Sequence, residues 1–449
     1  MVVARDARDR ARRRSARPRF LVAARAAVAA RRLDRPRGRD VRLSWTRSVP
    51  PAQAQPALMP RLDAVQVRTL FWAGLAVVLA GWNGSILILE LPAVAHTFGA
   101  RVSDLSNLGS IVVFGALGAW PLATLADRFG RRRLIALGVG AFCLVSLGTP
   151  LAANLTTLAV LRLGASCFEG LVLSVSTALI VEEAPPAHRG TALSVFALLF
   201  GAGQFVPVLV YPFVAPNWRL LFFAGGLGVI AAPLIWRGLP ESRAWRRAHI
   251  TGSTIRILMQ PPWRRRVLIL AASALVGSIL GEPAGLFFTV YASQYLHLTP
   301  GVISWMIAAA AGCAILGYVA GGYLSDRFGR RILAVTLGVI TAVFTGGGFV
   351  AGTAGFIGAN LLWSGFASAG TPVIGAWSGE LYPTRARATA EATGGVAGTA
   401  GAIIGLQLVG ALSPLLGLGR AIALLLVAGV ASSLVLLMLP ETRGRPLPD

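Results

Sequence analysis

Lysine is absent from this 449-residue sequence; all 42 basic residues are arginine. That pattern fits a GC-rich coding sequence and says little about chemistry. Acidic residues number only 18, so charged residues make up 13% of the chain, about half of the roughly 25% found in soluble domains. So little charge excludes an ordinary water-soluble domain. Histidine occurs four times and cysteine three times. Cys143, Cys167 and Cys313 each stand inside apolar runs with no metal or disulfide spacing between them, so they read as small buried apolar residues. No nucleophile–base constellation, metal-ligand set or phosphate loop is present. An enzyme is therefore not expected, and neither a metal nor a cofactor.

What the sequence has in excess is apolar surface. Apolar residues fill 55% of the positions, with 52 glycines and a mean hydropathy of +0.68. Glycine is tolerated in membrane helices because small residues let backbones approach closely. The net charge of +24 is misleading as a sign of nucleic acid, and no such partner is expected. Sixteen arginines lie before residue 60, in a segment without apolar periodicity. Its one apolar stretch, 20–30, is broken by Arg25 and too short to span a bilayer. Residues 1–60 are expected to be a disordered cytoplasmic tail, with Met59 a candidate initiator.

From Thr69 onward, apolar runs of about 20 residues recur, each sufficient to cross roughly 30 Å of hydrocarbon. They fall near 69–91, 105–125, 133–152, 156–180, 191–214 and 219–238, then 267–292, 302–323, 332–352, 356–378, 392–412 and 420–438. Twelve crossings place both termini on one side. Connections on that side carry 22 arginines outside the tail, against three (Arg101, Arg219 and Arg420) on the other. This asymmetry puts the termini in the cytoplasm. The expectation is an all-α, multi-pass protein of the bacterial cytoplasmic membrane, with the lipid bilayer as its solvent.

A repeat is written in the rare polar residues. Leu125-Ala-Asp-Arg-Phe-Gly-Arg-Arg132 follows the second span, and Leu324-Ser-Asp-Arg-Phe-Gly-Arg-Arg331 follows the eighth. Glu182 and Arg189 match Glu380 and Arg387, and Pro240-Glu-Ser-Arg matches Pro440-Glu-Thr-Arg. The matched positions lie 198–200 residues apart. Two six-helix halves are expected, at 65–240 and 267–440, joined by a basic linker at 241–266 and followed by a tail at 441–449.

These motifs resemble those of the major facilitator transporters. The likeness covers residues 65–449 and is nearest to the sugar porters and the aromatic-acid and metabolite:proton symporters. It implies twelve helices in two pseudo-symmetric six-helix bundles, with alternating access about a midplane site. It also implies that Asp127, Arg131, Glu182, Arg189 and Glu241, with Asp326, Arg330, Glu380, Arg387 and Glu441, form a cytoplasmic gate. Asp127 and Asp326 are further expected to cap neighbouring helix N-termini, where a carboxylate is favoured. Ala123 replaces the usual glycine at the start of the first signature, whereas Gly322 is kept; close packing is expected to survive there.

Ionisable residues at membrane depth cost at least about 2.5–3.5 kcal/mol on insertion scales, so each is a functional candidate. Arg162 and Glu169, seven residues apart on the fourth span, share a face; they carry substrate or simply neutralise one another. Glu282 lies in the seventh span beside Pro283, and Glu90 near the outer end of the first. Asn83, Gln204 and Gln407 add neutral hydrogen bonds to a ligand or to a neighbouring helix. The ligand residues of the resembled groups are not matched. Gly281 and Glu282 replace a glutamine pair, Gly375 a tryptophan, and Asn83 an aspartate. The expected function is proton-coupled symport of a small polar metabolite, an organic or aromatic acid or a sugar-like compound, by a monomer. A drug:proton antiporter and a non-transporting nutrient sensor are the alternatives.

Overall fold

The computed structural model describes residues 63–184, 189–242, 258–261, 263–382 and 387–443. The tail with Met59, most of the linker and the last six residues lie outside this set. So do the side chains of Asp127, Arg189 and Arg387.

Twelve long helical segments follow in order. They are α1 (Ala64–Phe98), α2 (Val102–Phe129), α3 (Arg131–Gly148), α4 (Leu155–Glu183), α5 (Arg189–Val214) and α6 (Trp218–Gly238). The second set is α7 (Trp263–Leu286), α8 (Pro300–Phe328), α9 (Arg330–Gly348), α10 (Gly352–Leu381), α11 (Arg387–Leu416) and α12 (Leu418–Met438). Their starts carry local signals. The Asp63 and Gln66 side chains satisfy each other's backbone N–H groups at α1, Asn154 accepts from Thr157 N at α4, and Thr299 with Pro300 opens α8. Eleven segments are long and apolar enough to cross a bilayer. The exception is α10, 30 residues long but diluted by seven glycines and by serine, threonine and Asn360. It packs between α8 and α9 as its repeat partner α4 packs between α2 and α3.

Helix contacts follow the repeat: α1 with α5, α2 with α4 and α3 with α4 in the first half; α7 with α11, α8 with α10 and α9 with α10 in the second. Gly401 and Gly405 of α11 lie against the carbonyls of Leu275 and Ile279 on α7, where a Cβ would collide with the backbone. No such approach occurs at Gly322, where a Cβ would meet nothing within 4 Å. Close packing in this part of α8 falls one residue earlier, at Gly321 against Ala369.

The halves meet through α2 with α11 and α5 with α8. One apolar cluster joins them at the end away from the arginine-rich connections. It unites Leu89, Leu91 and Leu105 with Leu286, Phe288, Ile303 and Leu406, all buried. Among the described residues, four hydrogen bonds cross between the halves there. Thr289 Oγ1 donates to Ile88 O, Ser304 Oγ to Val208 O at 2.8 Å, and Gln407 Nε2 to Asn107 Oδ1 at 3.1 Å and Ser110 Oγ at 2.9 Å. At the arginine-rich end the apolar cores are separate, one in each half. Among the described residues, then, the halves are sealed together at one end and their apolar cores stand parted at the other.

Candidate functional site

The first half holds a polar knot between α1, α3, α4 and α6. Arg162 is 1% exposed. Its Nη2 reaches Glu169 Oε1 at 3.3 Å and Asn83 O at 3.1 Å, and its Nη1 reaches Ser146 Oγ at 3.3 Å. The Ser146 hydroxyl in turn donates a hydrogen bond to Asn83 Oδ1, and the guanidinium lies 5.2 Å from the centre of the Phe222 ring. The seven-residue spacing brings Arg162 and Glu169 together, as their common face requires. A buried ion pair is weakly stabilising as a pair, but removing either partner strands a charge and costs about 3–5 kcal/mol.

The repeat partner of Asn83 is Glu282 on α7, half-buried and without a hydrogen-bond or ion-pair partner among the described residues. The neighbouring Gly281 is exposed, with nothing within 4 Å of a built Cβ. Ser146 and Arg162 are matched by Thr345 and Asn360, whose Oγ1 and Oδ1 atoms are buried and unpartnered. The second half therefore keeps polar residues at the places of Asn83, Ser146 and Arg162 but has neither the arginine nor the acid of the pair, since Ala367 stands where the first half has Glu169. Glu90 is fully buried in the sealed end, with both carboxylate oxygens unpartnered. Gln407 bridges the halves, and Gln204 is exposed on α5.

The arginine-rich end carries two matching charge networks. Arg131 Nη2 meets Glu182 Oε1 at 2.8 Å, and Ser242 Oγ donates to Glu182 Oε2 at 2.5 Å. Arg330 Nη2 meets Glu380 Oε1 at 3.2 Å, and Thr442 Oγ1 donates to Glu380 Oε2 at 2.5 Å. Each network ties the ends of three helices within one half. The expected capping role of Asp326 is corrected here, while that of Asp127 lies outside the described residues. Asp326 is 77% exposed and pairs with Arg330 at 2.9 Å, one turn away on the same chain segment. The caps come instead from Glu241, which accepts from the N–H groups of Arg131 and Arg132 at α3, and from Glu441, which accepts from Arg330 and Arg331 at α9. Burial alone would raise the Glu441 carboxyl. The backbone N–H groups of Arg330, Arg331, Arg443 and Thr442 outweigh it and hold that group below its ordinary value.

Residues 72–290 and 283–449 both match the family model described as Major Facilitator Superfamily. The chain belongs to that superfamily. As a major facilitator protein it resembles the "Probable 4-methylmuconolactone transporter" of Cupriavidus pinatubonensis, at 27% identity over 84% of this chain and 92% of the relative. It also resembles the 3-(3-hydroxy-phenyl)propionate transporter of Escherichia coli, at 28% identity over 85% and 97%. Among solved structures, the xylose transporter XylE from E. coli, in an inward open conformation, aligns with a TM-score of 0.68. It shares 18% identity, covering 84% of this chain and 97% of that one, a likeness of fold. The protein is a multi-pass membrane transporter of small molecules, not an enzyme. Neither the mirror-image polar positions nor the capping glutamates were found by sequence reasoning. The offset of 199 between Asn83 and Glu282 was the available signal for the former.

Proposed function

We propose that this transporter carries a small organic acid, aromatic in its preferred form, together with a proton across the bacterial cytoplasmic membrane. The observation behind this reading is the Arg162–Glu169 pair, buried on α4 with no other cation beside it in the polar knot. A guanidinium fork suits a planar carboxylate, but here Glu169 already occupies it. Protonation of Glu169 releases the fork to a substrate carboxylate, so anion and proton bind together. The relatives named for acid substrates support the same class.

Alternating access then follows from rocking of α1–α6 against α7–α12. The arginine-rich end faces the cytoplasm by its charge bias, so the parted end is the inward one. Glu282 is a second carboxylate for proton exchange, because an unpaired charge at membrane depth is costly. The test is uptake of 3-(3-hydroxyphenyl)propionate into proteoliposomes under an inward proton gradient. Glu169→Gln keeps the shape but leaves Arg162 permanently without its counter-charge. Accumulation should lose its dependence on the gradient while substrate exchange continues. Gradient-driven accumulation at the wild-type level in this variant would remove Glu169 from the mechanism.

A further inference from the structure

Glu90 takes no part in the transport mechanism above, yet it is buried in the sealed end. It is fully buried, and neither carboxylate oxygen has a hydrogen-bond partner among the described residues. Its chain neighbours Leu89 and Leu91 belong to the apolar cluster that joins the halves, with Phe287, Phe288 and Val290 from the second half. The charged or titratable side chains around this end are His96 and Arg101 at the ends of α1 and α2, Asp104 on α2, Arg219 on α6, His297 before α8 and Arg420 on α12. None of them pairs with Glu90 or acts on its charge. Tyr211 of α5, itself buried, lies within its electrostatic reach and is neutral.

The repeat gives this position a counterpart. The offset of 199 that matches Asn83 to Glu282 also matches Glu90 to Thr289. Thr289 is likewise fully buried, and its hydroxyl donates across the seam to Ile88 O, two residues from Glu90. A hydroxyl suits a dry seam because it carries no charge. A carboxyl suits it only as the acid, since an unpaired carboxylate withdrawn from water takes up a proton instead of staying charged. When the seam parts, water hydrates the group, which then ionises above about pH 4.3. We propose that Glu90 is a proton-operated lock on the outer end, taking a proton from the external solution as the halves seal and returning it there as they part. Because one side both supplies and receives this proton, the lock sets the resting conformation and adds nothing to accumulation, unlike Glu169 and Glu282. The sealed form holds one more proton, so external acid favours it, and each pH unit above the hydrated value favours parting by about tenfold. The lock rests on the alternating-access reading above and its orientation, and is independent of the substrate.

The test reads the sealed and parted populations from the distance between two spin labels. They are attached at Leu151→Cys and Gly301→Cys, exposed positions at the outer ends of different halves. The full-length protein is used in lipid nanodiscs, with its three native cysteines replaced by alanine. From about pH 6 to about pH 8, the parted-to-sealed ratio with Glu90 present should rise about tenfold more per unit than in Glu90→Gln, which stays neutral throughout. Glu90→Asp should restore the steeper slope. Glu90→Met, also neutral, should flatten it and carries the test if Glu90→Gln fails to insert. Equal slopes with Glu90 and with both neutral variants would overturn the lock alone. A single sealed distance at every pH with Glu90 present would overturn alternating access and the lock together.

Discussion

Glu282 has no partner among the described residues and stands one residue before Pro283, at the position where the first half has Asn83 within its polar knot. Glu282→Gln removes the charge and keeps the shape. It should abolish proton-driven accumulation while sparing counterflow exchange, which needs no net proton release; intact accumulation in proteoliposomes would exclude it as a coupling group. Arg162→Lys should fail more severely than its retained charge suggests, because the fork serves Glu169, Asn83 and Ser146 at once and an ammonium cannot reproduce that geometry. Glu90 is the opposite case, a buried carboxyl with neither oxygen partnered. Glu90→Met, of similar length and apolar, should stabilise the sealed end by about 1–3 kcal/mol, the usual penalty of an unsatisfied buried polar group. The check is a higher melting temperature accompanied by slower transport, as the seal opens less readily. The pairing of Arg162 with Glu169 was legible from a seven-residue spacing. The isolation of Glu90 was not, because which groups surround a buried carboxyl depends on helices remote in sequence.

Among the elements, the α2–α3 and α8–α9 connections turn through Gly130 (φ 93°, ψ 150°) and Gly329 (φ 93°, ψ 160°), a region essentially reserved for glycine. A Cβ at either would also run into the carboxylate of Glu241 or Glu441. Gly130→Ala and Gly329→Ala should each destabilise by about 1–3 kcal/mol from backbone strain, read as a fall in melting temperature. The repeated Phe-Gly-Arg-Arg motif therefore encodes a turn as well as charge. The Glu441 carboxyl titrates below its unfolded value, so its cap on α9 is fully present above about pH 4.3. The stabilisation is lost as pH falls from there through the depressed value. Glu441→Gln should flatten this acid limb of the melting curve; an unchanged limb would deny the cap its role. The sequence pointed to Asp326 for the α9 cap because a carboxylate is favoured near a helix N-terminus, whereas Glu441 supplies it. The ends of α6 and α12 reach the same turns only once each six-helix half has closed.

For the whole molecule, the sealed end predicts a conformational lock. Ser304 and Val208 approach across the halves, with Ser304 Oγ 2.8 Å from Val208 O. A cysteine pair at these two positions, once oxidised, should stop transport while ligand still binds from the parted end, and reduction should restore transport. Transport that continues through the oxidised pair would mean that the halves do not part there. Single cysteines at 293–300 should react with impermeant reagents from outside the cell and those at 245–261 should not, which checks the charge-based orientation. The sequence by itself determined the twelve spans, the two-fold repeat, the charge asymmetry and the six polar motifs. Each follows from hydrocarbon thickness or from residues close together in the chain. Only tertiary structure decided which end is sealed, which glutamates cap which helices, and that Glu90 is buried with neither oxygen partnered. Each of these depends on contacts between segments far apart in the chain, which no local pattern of residues fixes.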